Sequence, residues 1–242
     1  IARKMSCLRS FYDYLCKRQL LPSNPVRLVD MPKIKEKAII QLDPDEVASL
    51  LDYIENYGNQ LTGVKLYHYN KQKYRDIAIV TLLLGTGVRV SELVGLNISD
   101  IDFKNNGIRI LRKGGNEMIV YFGEEVEKAL RDYLEISRNA ITPLSGHEDA
   151  LFLSGQRKRI SVDAVEKMVK KYASAISAKT ITPHKLRSTY GTALYRETGD
   201  IYLVADVLGH ADVNTTKKHY AKLSDARRRA ASKAVTLREK TD

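Results

Sequence analysis

The amino-acid sequence predicts an α+β fold that is mostly helical and carries one small antiparallel sheet. Three observations lead there. Apolar residues recur at three- and four-residue spacing over much of the chain, the period of helices with one buried face. Two short runs rich in β-branched and aromatic residues, 107–111 and 118–122, flank Lys113-Gly114-Gly115-Asn116, a glycine turn that reads as a hairpin. Strands do not alternate with helices along the chain, which excludes a doubly wound parallel sheet. With 242 residues, 43% hydrophobic and 29% charged, the chain can bury one large core or two modest ones, and its composition is that of a folded protein.

The elements follow in order. Met5, Leu8, Tyr12 and Leu15 define an amphipathic helix over 4–15. Pro22 and Asn24-Pro25 end it, because proline lacks an amide donor and restricts the residue before it. Residues 30–41 read as a polar crossing segment and divide the chain into 1–37 and 38–242. Asp43-Pro44-Asp45-Glu46 starts the next helix with an acidic cap, proline at the first helical position and a glutamate three residues after the cap. A helix over 73–84 contains the nearly unbroken apolar run Ala78–Leu84 and so belongs to the core. Gly85-Thr86-Gly87 ends it, and a short helix begins near Ser91. After the hairpin come a helix over 124–137 and a third strand at Ala150–Leu153. Helices are then predicted at 161–177, 183–197, 200–208 and 212–220, with a last one over 224–238.

The formal net charge is +11, from 40 basic and 29 acidic side chains. Residues 1–37 carry nine basic and three acidic groups, residues 38–200 carry 22 and 21, and residues 201–242 carry nine and five. The ends are basic and the middle is nearly neutral. Such an excess points to a polyanionic partner, nucleic acid first. No apolar run approaches the roughly 18–20 residues that cross a bilayer, so no membrane partner is expected. Cys7 and Cys16 can build no disulfide framework and lack metal-knuckle spacing. With no secretory apolar segment, the expected location is the cytoplasm. The chain opens at Ile1, as a piece of a longer protein would.

Some familiar motifs fail on inspection. Gly85-Thr86-Gly87-Val88-Arg89-Val90 begins like a dinucleotide loop, but valine stands at the third glycine position and a helix precedes it where a strand is needed. Lys113-Gly114-Gly115-Asn116 lacks the spacing of a Walker loop. His184, His210 and His219 have no metal-binding context, so neither a metal nor a cofactor is expected.

Six polar residues remain: Arg89, Lys113, His184, Arg187, His210 and Tyr220. Each has an ordinary alternative. Arg89 and Glu92, three apart, fit a surface pair, and one tyrosine of 14 is usually a packing residue. His184 and Arg187, however, share one face near the start of a helix. Two cations there oppose the helix dipole unless an anion joins them. Taken together the set suits cleavage of a phosphodiester without metal. Two arginines can bind the non-bridging oxygens through bidentate forks, each preorganised donor contributing about 3 kcal/mol to the transition state. A lysine or histidine can protonate the leaving sugar oxygen. A tyrosine, with a pKa near ~10, can attack once a base or a positive field activates it.

Gly85-Thr86-Gly87-Val88-Arg89-Val90-Ser91-Glu92-Leu93, Pro183-His184-Lys185-Leu186-Arg187, Leu208-Gly209-His210 and Tyr220 together resemble the catalytic signature of the tyrosine recombinase/integrase family. The resemblance implies that family's catalytic domain over 38–242, preceded in 1–37 by the last helices of a helical core-binding domain. It implies that Arg89 and Arg187 clamp the scissile phosphate, braced at Arg89 by Glu92, and that Lys113 protonates the leaving 5′ oxygen. His184 would act as general acid/base, His210 would hydrogen-bond the phosphate, and Tyr220 would form a 3′-phosphotyrosyl intermediate without ATP. The implied partners are double-stranded recombination sites and three further copies of the chain, with the apolar side of helix 224–238 (Ala226, Ala230, Ala231, Ala234, Leu237) exchanged between protomers. The implied activity is integration or excision of a mobile element, or resolution of chromosome dimers. A type IB topoisomerase and a catalytically degenerate DNA-binding protein are the alternatives.

The sequence departs from the family pattern twice. The stretch after Lys113 lacks the further basic residues common there. Tyr220 lies ten positions after His210 where many relatives have nine, which sets His219 beside it with no role assigned. The charged ends carry a measurable expectation. If about six phosphates are contacted, affinity for duplex DNA should fall about 10³-fold between about 50 and 200 mM salt. Fluorescence anisotropy titrations read this slope, and a flat profile would remove the charge argument.

Overall fold

A computed structural model describes residues 1–32, 40–112, 115–209 and 213. The chain divides into two compact units, Ile1–Ala38 and Ile39–Asp242. In the first, α1 (Ala2–Lys17) is followed by a 3₁₀ turn, Pro25–Leu28. Asn24 is buried at the bend. Its amide donates to the Arg9 carbonyl and to Asp13 Oδ1, both at 2.9 Å, while its Oδ1 caps the Val26 amide. The Asn24 amide, with Arg27 beside it, holds the Asp13 carboxyl below its ordinary value. α1 has no fully buried residue, and Leu8 of its predicted apolar stripe is exposed.

The second unit is built on α3 (Gly63–Thr86), in which Ile79, Val80, Leu82 and Leu83 are all wholly buried. α2 (Pro44–Asn56) opens with the expected reciprocal cap: the Asp43 amide donates to Glu46 at 2.9 Å. α3 begins ten residues earlier than the predicted helix. Its first turns are polar and partly exposed, with Val64 and Tyr67 facing outward, so no apolar period marks them. α4 (Val90–Gly95) follows, then the sheet: β1 (Ile101–Asp102), β2 (Gly107–Leu111) and β3 (Glu117–Tyr121), antiparallel in that order. Ile108 pairs with Val120 and Ile110 with Met118, which places Ile108, Ile110 and Val120 in the core.

α5 (Glu124–Asp132) passes into a π-helical segment, Tyr133–Arg138, where a plain helix to 137 is predicted. The predicted third strand at Ala150–Leu153 does not join the sheet, and β1 takes that place. All four residues of the run are buried, but their backbone groups go to different partners. Leu151 N donates to the Leu96 carbonyl, Phe152 O accepts from Ile160, and the Tyr133 hydroxyl bridges Leu151 O and Leu153 N. α6 (Val162–Ile176), α7 (Pro183–Thr198) and α8 (Ile201–Leu208) complete the unit. The predicted helices at 212–220 and 224–238 lie outside the described residues, Val213 aside. No helix among the described residues is long and apolar enough to cross a membrane.

One buried polar network ties α3 to α6. Arg75 donates from Nε and Nη2 to Asp76 Oδ1, at 3.0 and 2.6 Å, and from Nη1 to the Leu153 carbonyl. The Tyr172 hydroxyl donates to Asp76 Oδ2 at 2.9 Å. Burial and the adjacent carboxylate push the Tyr172 phenol well above its ordinary value, so it stays a donor. Tyr172→Phe leaves a buried carboxylate oxygen one bond short and should lower unfolding free energy by about 2 kcal/mol, read from urea denaturation.

Candidate active site

Four of the predicted site residues, Arg89, Glu92, His184 and Arg187, lie among the described residues. Lys113, His210, His219 and Tyr220 lie outside them. Arg89 directly precedes α4, after the bend that ends α3. That bend is made at Gly87, whose φ of +65° is a left-handed conformation open to glycine. A Cβ at Gly87 would also overlap the Tyr190 ring of α7. Glycine therefore lets the end of α3 pass close against α7, and the chain turns directly into Arg89.

Glu92 fixes Arg89 from both ends. Its Oε2 accepts from the Arg89 backbone amide at 2.7 Å, and its Oε1 accepts from Arg89 Nη1 at 2.7 Å. The carboxylate is buried, whereas the Arg89 side chain keeps 38% of its exposure. Arg89 is thus held by its root and its head with one side open to solvent. The ordinary alternative of a solvated surface pair does not describe it: the spacing is i, i+3, but the acid is inside.

α7 starts with Pro183 at its first position, which fits a position with no helical partner for its amide. His184 is exposed on that first turn, and Arg187, one turn on, is buried with 5% exposure. Arg187 Nη1 donates to the Gly87 carbonyl and Nη2 to the Leu208 carbonyl. Arg89 Nη2 donates to the next carbonyl, that of Gly209, at 2.8 Å. Two guanidinium groups from distant parts of the chain therefore meet at adjacent backbone oxygens where α8 ends. The last carbonyls of a helix have no intrahelical partner and carry its negative dipole end, so they can offset the repulsion between the arginines.

A third arginine reaches the same turn. Arg112, just after β2, donates from Nη1 to the Asp206 carbonyl at 3.2 Å and from Nη2 to the Val207 carbonyl at 2.7 Å. Its half-buried guanidinium is held below its ordinary pKa first by burial and further by the Arg89 cation, while Glu92 and Asp206 act against that shift. Arg112 stands directly before Lys113 and is not one of the six polar residues that the sequence pattern singles out. Strand alternation marks it, however: Ile108 and Ile110 point inward, and Arg112 continues their parity.

Residues 41–227 match the model of the phage integrase family. The chain belongs to the phage integrase family. It is 31% identical over 218 residues to tyrosine recombinase XerC of Roseiflexus castenholzii, covering 90% of this chain and 66% of that protein. It is 36% identical over 236 residues to XerC of Caldanaerobacter subterraneus, covering 95% of this chain and 61% of that one. The chain thus spans about two thirds or less of the length of these relatives. The crystal structure of XerA recombinase superposes with a TM-score of 0.66 at 29% identity, covering 97% of this chain and 75% of that one. The Tn1549 transposon integrase shares the fold, with a TM-score of 0.71 at 24% identity over 96% of this chain and 78% of that one. The α+β class and the family resemblance drawn from the signature residues are both met.

Two glycine substitutions separate shape from composition in this integrase fold. Gly87→Ala meets both a positive φ and the Tyr190 ring, and should lower stability by at least about 1–2 kcal/mol. Gly95→Ala, in α4 with open space around it, should be neutral or stabilising by up to about 1 kcal/mol. Urea denaturation of the two variants reads opposite signs.

Proposed function

We propose that this chain is the catalytic part of a site-specific DNA recombinase of the tyrosine type. The observation that carries the reading is the meeting of Arg89 and Arg187 on adjacent carbonyls, Gly209 and Leu208, one residue before His210. Two forks aimed at one place suit the two non-bridging oxygens of a single phosphate. The 31–36% identity to XerC proteins over nine tenths of the chain supports the same activity.

In this reading Arg89 and Arg187 bind the scissile phosphate, and Glu92 keeps Arg89 from turning away. The Tyr220 oxygen attacks phosphorus and forms the 3′-phosphotyrosyl bond while the bond to the 5′ oxygen breaks. His184 accepts the tyrosine proton, Lys113 gives a proton to the leaving 5′ oxygen, and His210 donates a hydrogen bond to the phosphate. Attack by a 5′ hydroxyl of another strand reverses the steps, so the phosphodiester is rejoined without ATP and without a metal. Burial pushes the phenols of Tyr133, Tyr172 and Tyr190 upward, which disfavours these three as nucleophiles.

The partner is double-stranded DNA, as the basic ends and the neighbours' DNA complexes support. Residues 1–37 serve as the end of a core-binding domain and 38–242 as the catalytic domain. Four copies act together, joined by exchange of helix 224–238, on the sites of a mobile element or of a chromosome dimer. The setting is the cytoplasm, in keeping with the exposed thiol of Cys7 and the separate thiol of Cys16.

A duplex nicked just beyond the cleavage site tests the reading, because the short leaving strand diffuses away and traps the adduct. The intact protein should yield a covalent protein–DNA complex on denaturing gels, and Tyr220→Phe should abolish it. An adduct that persists in Tyr220→Phe overturns the nucleophile, and none with the intact protein favours a degenerate DNA-binding role. Relaxation of supercoiled DNA without joining of two sites favours a topoisomerase.

A further inference from the structure

Among the described residues the Arg112 side chain joins the β2–β3 hairpin to the end of α8. Arg112 closes the hairpin through its backbone: its amide donates to the Asn116 carbonyl at 2.9 Å, and its carbonyl accepts from Gly115 at 3.1 Å. Its side chain leaves the hairpin and forks onto the Asp206 and Val207 carbonyls. The guanidinium lies against Gly209 so closely that a Cβ there would overlap it, and Gly209 itself has a φ of +62°. The fit is therefore made from both sides: the helix ends in the one residue without a side chain, and the arginine fills the space.

This placement has an electrostatic cost. Arg112 Nε is buried without a hydrogen-bond partner among the described residues, and the Arg89 cation lies close enough to oppose the charge. An arginine kept only for solubility would extend into water, where both penalties vanish. Nor does the geometry suit a phosphate ligand. The Arg112 Nε edge, which a side-on bidentate pair uses, is sealed. What the arrangement does achieve is mechanical. It fixes the base of the hairpin to the turn that Arg89 and Arg187 also grip, and the next residue in the chain is Lys113.

We propose that Arg112 is a positioning residue for leaving-group protonation, locking the hairpin that bears Lys113 to the α8 turn that organises the phosphate-binding arginines. The inference rests on the strand-cleavage reading above. In that reaction the phosphorus–oxygen bond to the 5′ carbon breaks as the tyrosine–phosphorus bond forms, and the 5′ oxygen takes the Lys113 proton. A hairpin cut loose from α8 spoils that one transfer. Misplacement by about an ångström costs on the order of 10²-fold in rate. A substrate with sulfur in place of the bridging 5′ oxygen removes the need for the proton, since a thiol has a pKa near ~8.5 and leaves as the thiolate.

The experiment compares intact protein, Arg112→Ala and Arg112→Lys on two nicked duplexes, one with the ordinary 5′ oxygen and one with 5′ sulfur. On the oxygen duplex Arg112→Ala should form adduct about 10²-fold more slowly than intact protein. Its DNA affinity should stay within about threefold, because no phosphate contact is lost. On the sulfur duplex it should return to within a few-fold of the intact protein. Arg112→Lys keeps the charge and the aliphatic stem but cannot fork to two carbonyls. It should show a smaller slowing with the same recovery on sulfur, and it decides the matter if the alanine variant does not fold. Equal slowing on both duplexes, a lysine variant with the intact protein's rate on oxygen, or a large loss of DNA affinity with a shallower salt slope would each overturn the proposal. Absence of adduct from the intact protein on either duplex would instead sink the reading it rests on.

Discussion

The last turn of α8 supplies four consecutive carbonyls, Asp206 through Gly209, to three guanidinium groups drawn from α7, the start of α4 and the end of β2. Like charges cannot be gathered this way without a compensating negative field, and a helix carboxyl end provides one with no ionisable group to titrate. The buried Glu92 carboxylate adds a formal charge to it. The rest of the site depends on this balance. In the proposed reading, guanidinium groups already gathered at one turn spare a bound phosphate part of the cost of assembling its donors.

The surrounding fold serves that convergence. α3 is the longest helix described and passes through the core, and its left-handed end at Gly87 delivers both Arg89 and a carbonyl for Arg187. Behind it, the Arg75–Asp76–Tyr172 network fastens α3 to α6, so the rod that aims the site is held along its length as well as at its tip. Among the described residues the sheet reaches this turn through Arg112, just after β2.

What could be read in the sequence follows from where the information is local. The cap at Asp43-Pro44-Asp45-Glu46, the core run of α3 and the hairpin at 107–121 each depend on a few adjacent residues, and each formed as expected. The failures are of another kind. Ala150–Leu153 has the composition of a strand, but its backbone is satisfied by the Tyr133 hydroxyl and by Leu96, distant groups that no local pattern contains. The early turns of α3 are helical for tertiary reasons and carry no apolar period. Among the candidate site residues, the spaced signature picked out Arg89, Glu92 and Arg187, which the structure brings together at one turn, and His184, which lies exposed on the first turn of α7. Arg112 was hidden beside a more familiar lysine, although its inward parity on β2 was there to be used.

All three arginines donate to main-chain oxygens at the end of α8. The consequence concerns mutational tolerance. Exchanging the side chains of Asp206, Val207 or Leu208 removes no acceptor, since the peptide carbonyl remains whatever residue stands there. Only changes in backbone path do so, a proline within the turn or any side chain at Gly209. The acceptors of this site can therefore survive exchange of the side chains around them, while the charges of Asp206 and Glu92 near Arg112, Gly209 and the three arginines cannot be exchanged so freely.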